Sequence, residues 1–315
     1  MKHIDQEITI ETETPFGENV PIGVSSPLLG RLHDMARPCV RMAIEGASSS
    51  LGAPPAWLER ASDIRTIGFA RRGTQTVLLV RAPALGDAMP EIFDQQKLWP
   101  GVANAEDTVI QLIARAGDSV RRQDIASDMY DKPLLRRFTH WHSLFRHDVS
   151  RVIMPTFSGQ SSDFLALSNE MVQSARLLSA QTPQPRQIRI VGKLDMVRYS
   201  TRSFGLLLER GDEVLGILQE GDPELLQRHL GREITVFGKA IYRPSGTLLR
   251  VDAQEISDTT EGREAFSTIP GPLARTIRLE KKPQSSRTGV SAFFDTWPGE
   301  ETDAELLAAL GEVRN

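Results

Sequence analysis

The 315-residue sequence predicts an α+β fold: a mixed α/β N-terminal domain, a small five-stranded β-barrel and a largely disordered C-terminal arm. Three observations lead there. Between Gln187 and Ile256, short apolar runs come in the order β-β-β-α-β-β. Ahead of them a strand pair is interleaved with apolar stripes of helical period. From Ser257 onward the chain holds too few apolar residues to offset the entropy of ordering it. The expected divisions are residues 1–160, a mixed domain; 161–186, a helix and linker; 187–256, the barrel; and 257–315, a flexible arm with a terminal docking helix.

Composition sets the outer limits. With 37 basic and 41 acidic side chains and a net charge of −4, the chain is not basic throughout, so nucleic-acid contact would have to come from a local patch. The single cysteine, Cys39, excludes an intramolecular disulfide framework and suits a reducing, cytoplasmic setting. The opening MKHIDQEITIETE lacks the basic-then-apolar run of a secretory leader, and no stretch approaches the ~18 apolar residues of a membrane span. No membrane association is expected.

In chain order, Ser26-Pro27 followed by Leu28, Leu29, Leu32 and Met35 reads as a helix start, and Pro38 should end or kink it. Glu45 to Trp57 is small and turn-rich, hence a loop. Arg65 to Ala70 and Gln75 to Arg81, split by Arg71-Arg72-Gly73, read as a hairpin. A helix is expected from Asn104 to Arg115, capped by Asn104, with Glu106 and Asp107 in its first turn. A longer one should follow Pro133 through Leu134, Phe138, Trp141, Phe145, Val149 and Val152. A third should run from about Ser162 through Phe164, Leu167, Met171 and Leu178. Thr182 to Gln187, TPQPRQ, has linker composition.

The barrel strands are read from Ile188, Ile190 and Leu194; from Phe204, Leu206 and Leu208; from Val214 to Leu218; from Glu233 to Tyr242; and from Thr247 to Ile256. Asp222-Pro223-Glu224 opens the short helix and Gly231 closes it. Arg243-Pro244-Ser245-Gly246 joins the last two strands. This order looks like the OB-fold, whose ligands cross the face of its second and third strands, although a small SH3-like barrel has similar dimensions. On such an OB-like barrel the groups for single-stranded nucleic acid would be Lys193, Tyr199, Arg202, Phe237, Lys239, Tyr242 and Arg243. Alternation turns Ile234, Val236, Gly238 and Ala240 inward and leaves Phe237 and Lys239 outward.

Catalytic signatures are missing. The sequence contains no G-x-x-x-x-G-K-[ST], no G-x-G-x-x-G after a strand, no G-x-S-x-G and no H-E-x-x-H. No cofactor is expected. Cys39, beside Pro38 in an apolar helical setting, reads as core. A metal-dependent enzyme would have to use His140 and His147, two helical turns apart, with His142 on the opposite side and Asp148 nearby. The same segment carries Lys132, Arg136, Arg137, Arg146 and Arg151, a basic helix face.

The C-terminal arm is divided by charge. Arg275, Arg278, Lys281, Lys282 and Arg287 face one acid, Glu280; then Asp295, Glu300, Glu301, Asp303, Glu305 and Glu312 face Arg314. In the acidic part, Phe293, Phe294, Trp297 and Pro298 precede a Thr302–Glu305 capping box, and Leu306, Leu307 and Leu310 give the helix one apolar side. These residues resemble the aromatic, Trp-Pro-Gly, acidic, Thr-Asp, Leu tails of bacterial antitoxins paired with PIN-domain ribonuclease toxins. The resemblance covers about 20 residues. It implies that Phe293, Phe294, Trp297, Leu306 and Leu310 anchor on the partner, and that Arg287 or Arg314 reaches its acidic site. The rest of the chain departs from that family, with neither a ribbon nor a helix-turn-helix signature. The expected protein is a non-enzymatic bacterial regulator whose tail docks on a partner protein. A terminal helix that folds back on its own domain remains open, as do the nucleic-acid and metal-enzyme alternatives.

Overall fold

The structure is a computed structural model that describes residues 1–50, 52–96, 103–146, 149–156, 164–219, 224–258 and 266–272. The chain divides into two units, Met1–Leu273 and Ala274–Asn315. The second unit lies outside the described residues, and with it every tail residue singled out above. The first has the α+β architecture with a closed five-stranded barrel.

The first element is one that the sequence reading passed over: strand β1, His3–Thr12. Gln6, Ile8 and Ile10 are buried while Asp5 and Glu7 are exposed, the period-two signature of a half-buried strand. Helix α1 follows, Ile22–Glu45, then α2, Ala56–Ala61. Strands β2, Arg65–Arg72, and β3, Gln75–Pro83, form the expected hairpin. Two short helices, α3, Leu85–Ala88, and α4, Pro90–Gln96, precede α5, Val109–Arg121. Helix α6, Lys132–Thr139, continues as a 3-10 segment over His140–Arg146. Strands β4, Val149–Pro155, and β5, Phe164–Leu167, and helix α7, Asn169–Gln181, complete the N-terminal part. The sheet order is β2-β3-β1-β4-β5, antiparallel throughout. Ile8, Ile10, Leu78, Val80, Val152 and Met154 share a core with Leu32 and Met35 of α1, Leu112 and Ile113 of α5, and Phe138.

Four expectations are corrected. Helix α1 begins at Ile22, before Ser26-Pro27, and runs through Pro38. A proline there cannot donate to the carbonyl four residues back, and that carbonyl, Asp34 O, instead accepts from Arg137 Nη1 at 3.3 Å. Asn104 does not cap α5: its N–H donates to Asp107 Oδ2 (2.8 Å), which folds the acidic tripeptide into a turn. The helix starts at Thr108, whose N–H donates to Gln111 Oε1 at 2.6 Å. The helix predicted from Leu134 to Val152 stops at Thr139. Phe138, Trp141 and Leu144, all fully buried, keep a spacing of three, which suits the 3-10 turn, and Val149 and Val152 lie on β4. Phe164 and Leu167 belong to β5, and α7 begins only after Ser168.

The barrel matches its prediction in order and extent. Strands β6, Arg186–Arg198; β7, Ser203–Leu207; and β8, Glu213–Leu218, come first. Helix α8, Glu224–Arg228, precedes β9, Glu233–Tyr242, and β10, Leu248–Ser257. The strands close as β10-β8-β7-β6-β9, with β8 and β10 parallel and the other neighbours antiparallel. That closure, with a helix between the third and fourth strands, is OB-like. Leu226 of α8 is fully buried in the barrel core with Ile190, Phe204, Leu206, Ile234 and Val236. Gly216 makes room for Phe204, because a Cβ there would lie 2.2 Å from the ring. The helix-opening Asp222-Pro223 lies outside the described residues.

Candidate functional site

The barrel meets the N-terminal part through a buried charge network that the sequence reading did not single out. Helix α1 ends where Gly46 turns left-handed (φ +76°) and returns its N–H to Met42 O at 3.0 Å. Two residues on, Ser48 donates its N–H to Asp131 Oδ2 (3.0 Å), and its hydroxyl donates to Asp131 Oδ1. Asp131 is the N-cap of α6 and accepts from Leu134 N at 3.1 Å. Into this corner β10 sends Arg250. Its Nη1 donates to Gly46 O (2.9 Å) and Asp131 Oδ2 (3.3 Å), and its Nε donates to Asp252 Oδ1 (2.8 Å). The Arg250 and Asp131 side chains are 4% and 0% exposed.

One turn back on α1, Arg41 Nε lies 3.2 Å from Glu45 Oε2, both side chains being almost fully buried. Burial pushes the Glu45 carboxyl up to about 7, against the opposing pull of Arg41 and Arg250. The five groups comprise two guanidiniums and three carboxyls, so a protonated Glu45 leaves them neutral. Asp131 had a readable signal, an acid just before Lys132-Pro133 at a helix start. Arg250 had a weaker one, a single cation inside the apolar run Leu248-Leu249-Arg250-Val251.

The loop joining β9 to β10, which carries ligand in many OB-folds, is tied to the N-terminal part. Ser245 N donates to Ile125 O at 3.1 Å, and Arg243 Nε donates to Asp128 Oδ1 at 2.9 Å. Arg243 also donates to Leu248 O. Leu249 belongs to the N-terminal core, and Ile241 packs against it. Beside this contact is a cleft of about 450 Å³ between Asp128, Leu215, Arg243, Leu249 and Ile269.

This geometry corrects part of the predicted nucleic-acid surface. Tyr242 is 1% exposed, and its hydroxyl lies 3.1 Å from Pro270 O and 3.2 Å from Gly271 O; it takes the inward alternation of β9. Arg243 is engaged by Asp128. Phe237 (43% exposed) and Tyr199 (50% exposed) are on the surface, as are Lys193 and Lys239. Arg202 is half-buried, with a left-handed φ of 54°. They do not form a basic strip: the register sets Lys193 opposite Glu233, Phe237 between Arg189 and Glu255, and Lys239 between Gln187 and Asp252. The outward positions of β7 and β8, where OB-fold ligands lie, hold Ser203, Gly205, Leu207, Glu213, Leu215 and Ile217, without an aromatic or a cation.

The described part of the histidine segment gathers no cluster either. His140 is exposed, and His142 Nδ1 donates to Thr139 O at 2.9 Å. His147 and Asp148 lie outside the described residues. Among the described residues, no group of three or more His, Cys, Asp or Glu side chains is placed to hold a metal ion. Cys39 is buried, as expected, and burial pushes its thiol far up from the ordinary range. No described helix is long and apolar enough to cross a membrane.

Comparison with protein-family models, with curated proteins and with solved structures returns no match to this chain. What can be said of its activity therefore rests on its own residues.

Proposed function

We propose that the chain is a non-enzymatic bacterial regulator whose C-terminal tail docks on a partner protein, sequestering a PIN-type ribonuclease in the manner of an antitoxin. The observation that carries this reading is the order of side chains in the tail: Phe293-Phe294, then Trp297-Pro298-Gly299, an acidic run, and Leu306, Leu307 and Leu310 on one helical side. Aromatic anchors followed by an amphipathic helix are the parts of a peptide that binds in a groove.

The test is inhibition of a PIN-domain ribonuclease encoded beside this gene, using the full chain and a Trp297→Ala/Leu306→Ala variant. The wild type should form a complex with the nuclease and suppress RNA cleavage. The variant should lose at least tenfold in affinity while melting at an unchanged temperature. Equal inhibition by both proteins would refute the assignment of the tail.

A second reading, single-stranded nucleic-acid binding by the barrel, is favoured by the exposed Phe237 ring beside Arg189 and Lys239. It requires binding of a single-stranded oligonucleotide that tightens as salt falls and weakens in Phe237→Ala.

A further inference from the structure

Helix α1, the loop after it, α2 and α6 line a pocket of about 340 Å³ that adjoins the buried charge network through Arg41 and Ser48. Pro38 and Leu58 contribute its apolar wall, and Ser49 and Ser50 are exposed at its lining. Arg37, Arg41 and Arg137 all line it, with Asp34 as the single carboxylate among the lining residues. Asp34 is already paired with Arg31 at 3.1 Å.

The three guanidiniums are not equally committed. Arg37 pairs with Glu59 at 2.5 Å where both are half-exposed, an arrangement of small net stability in water. Arg137 donates to the backbone carbonyl of Asp34 and has no carboxylate partner among the described residues. Arg41 is 7% exposed, and its Nε is a buried nitrogen without a hydrogen-bond acceptor; the 3.2 Å approach to Glu45 lacks hydrogen-bond alignment. A buried guanidinium nitrogen whose donor is unmet is costly unless something accepts from it. Its one charge partner among the described residues, Glu45, is held toward the protonated form by burial. The wall thus presents more cationic donors than its own acids absorb.

Those donors specify the ligand. A carboxylate offers two oxygens and one charge, too little for guanidiniums arriving from two helices. A terminal phosphoryl group offers three oxygens and close to two charges, and guanidinium forks match its edges. The volume falls in the range of small-molecule sites. The surrounding surface does not continue the positive charge: Arg31 is met by Asp34, Arg60 by Glu91 and Arg65 by Asp63. A polynucleotide backbone would find no track there, whereas one phosphoryl group needs none.

We propose that this pocket binds a phosphorylated small molecule by its terminal phosphoryl group, with Arg41 and Arg137 as its main ligands and Ser49 at the rim. The proposal is independent of the tail and of the partner it docks on.

The experiment is calorimetric titration of the full chain with inorganic phosphate and with ribose 5-phosphate, against ribose and against chloride at matched ionic strength. Saturable binding of one equivalent of either phosphate is expected, with none for ribose. Stronger binding of the ester would mark a metabolite site, and equal binding a site for phosphate itself. Arg137→Ala should weaken binding at least tenfold. Because that change also removes the donor to Asp34 O, a second variant, Ser49→Asp, introduces a repelling charge at an exposed position and should abolish binding without moving the melting temperature. The proposal is overturned if neither phosphate binds above the chloride control, if a single-stranded oligonucleotide lacking terminal phosphates binds instead, or if Ser49→Asp binds as the wild type does.

Discussion

Arg250→Met is the sharpest probe of how the barrel is held. Methionine preserves most of the side-chain volume and removes three donor contacts, to Gly46 O, Asp131 Oδ2 and Asp252 Oδ1. Asp131, whose side chain is 0% exposed, keeps Ser48 and Leu134 N as donors but loses its cation. Removing one member of a buried ion pair costs about 3–5 kcal/mol, because the remaining charge stays buried. The retained donors around Asp131 place the expectation at the lower end, about 3 kcal/mol. That is a large share of the 5–15 kcal/mol of an ordinary domain. Urea unfolding followed by tryptophan fluorescence should show the midpoint falling. If barrel and N-terminal part then melt separately, the single transition should split, and far-UV and fluorescence curves should cease to coincide. A loss below about 1 kcal/mol with one coincident transition would mean that apolar contacts such as Leu249, and not the network, hold the junction.

Two further outcomes follow from the same helix. Glu45 has a folded pKa raised from 4.5 to about 7, so between those values the folded state holds more protons than the unfolded one. Its contribution is therefore greatest below pH 4.5 and is lost as pH rises through about 7, by up to about 3 kcal/mol. Glu45→Gln should flatten that part of the stability profile and be more stable than wild type at pH 8; identical urea midpoints for the two proteins at pH 5 and pH 8 would refute it. Pro38→Ala restores a donor to Asp34 O, so Arg137→Ala should cost about 1 kcal/mol less in that background than in wild type. A double-mutant cycle by thermal unfolding measures this coupling, and zero coupling would show that the 3.3 Å contact does not replace the missing helical bond.

The barrel could be read from the sequence because its strands alternate cleanly and each connection carries a turn or helix signal of its own. Ile234, Val236, Gly238 and Ala240 point inward as alternation demands. The N-terminal part was harder for three physical reasons. Strand β1 alternates Gln6, Ile8 and Ile10 within a polar run, so its signal is weak beside that of a helix stripe. Pro38 is a strong stop signal locally, but the arginine that relieves it comes from α6, 99 residues later in the numbering. A spacing of three, as at Phe138, Trp141 and Leu144, is shared by α and 3-10 helices, so it could not show where one passed into the other.

The candidate surfaces illustrate a different limit. Sequence alternation correctly leaves Phe237 and Lys239 outward, yet it cannot say what an outward residue meets. Arg243 and Tyr242 were chosen as cations and aromatics near an OB-like ligand face. Arg243 instead crosses to Asp128, and Tyr242 fills the barrel and reaches the carbonyls of Pro270 and Gly271. Their chemistry was read correctly and their partners were not, because those partners lie on distant parts of the chain. The same holds for the phosphate pocket: Arg41 and Arg137 are 96 residues apart and unremarkable in sequence, and only α1 packed on α6 brings them to one cavity. A guanidinium becomes informative when its acids have been counted. Arg60 and Arg65 have theirs, whereas among the described residues Arg41 and Arg137 have one carboxyl paired between them, Glu45, which burial holds toward its neutral form. That imbalance, more than the number of arginines, distinguishes a binding pocket from a solvated basic surface.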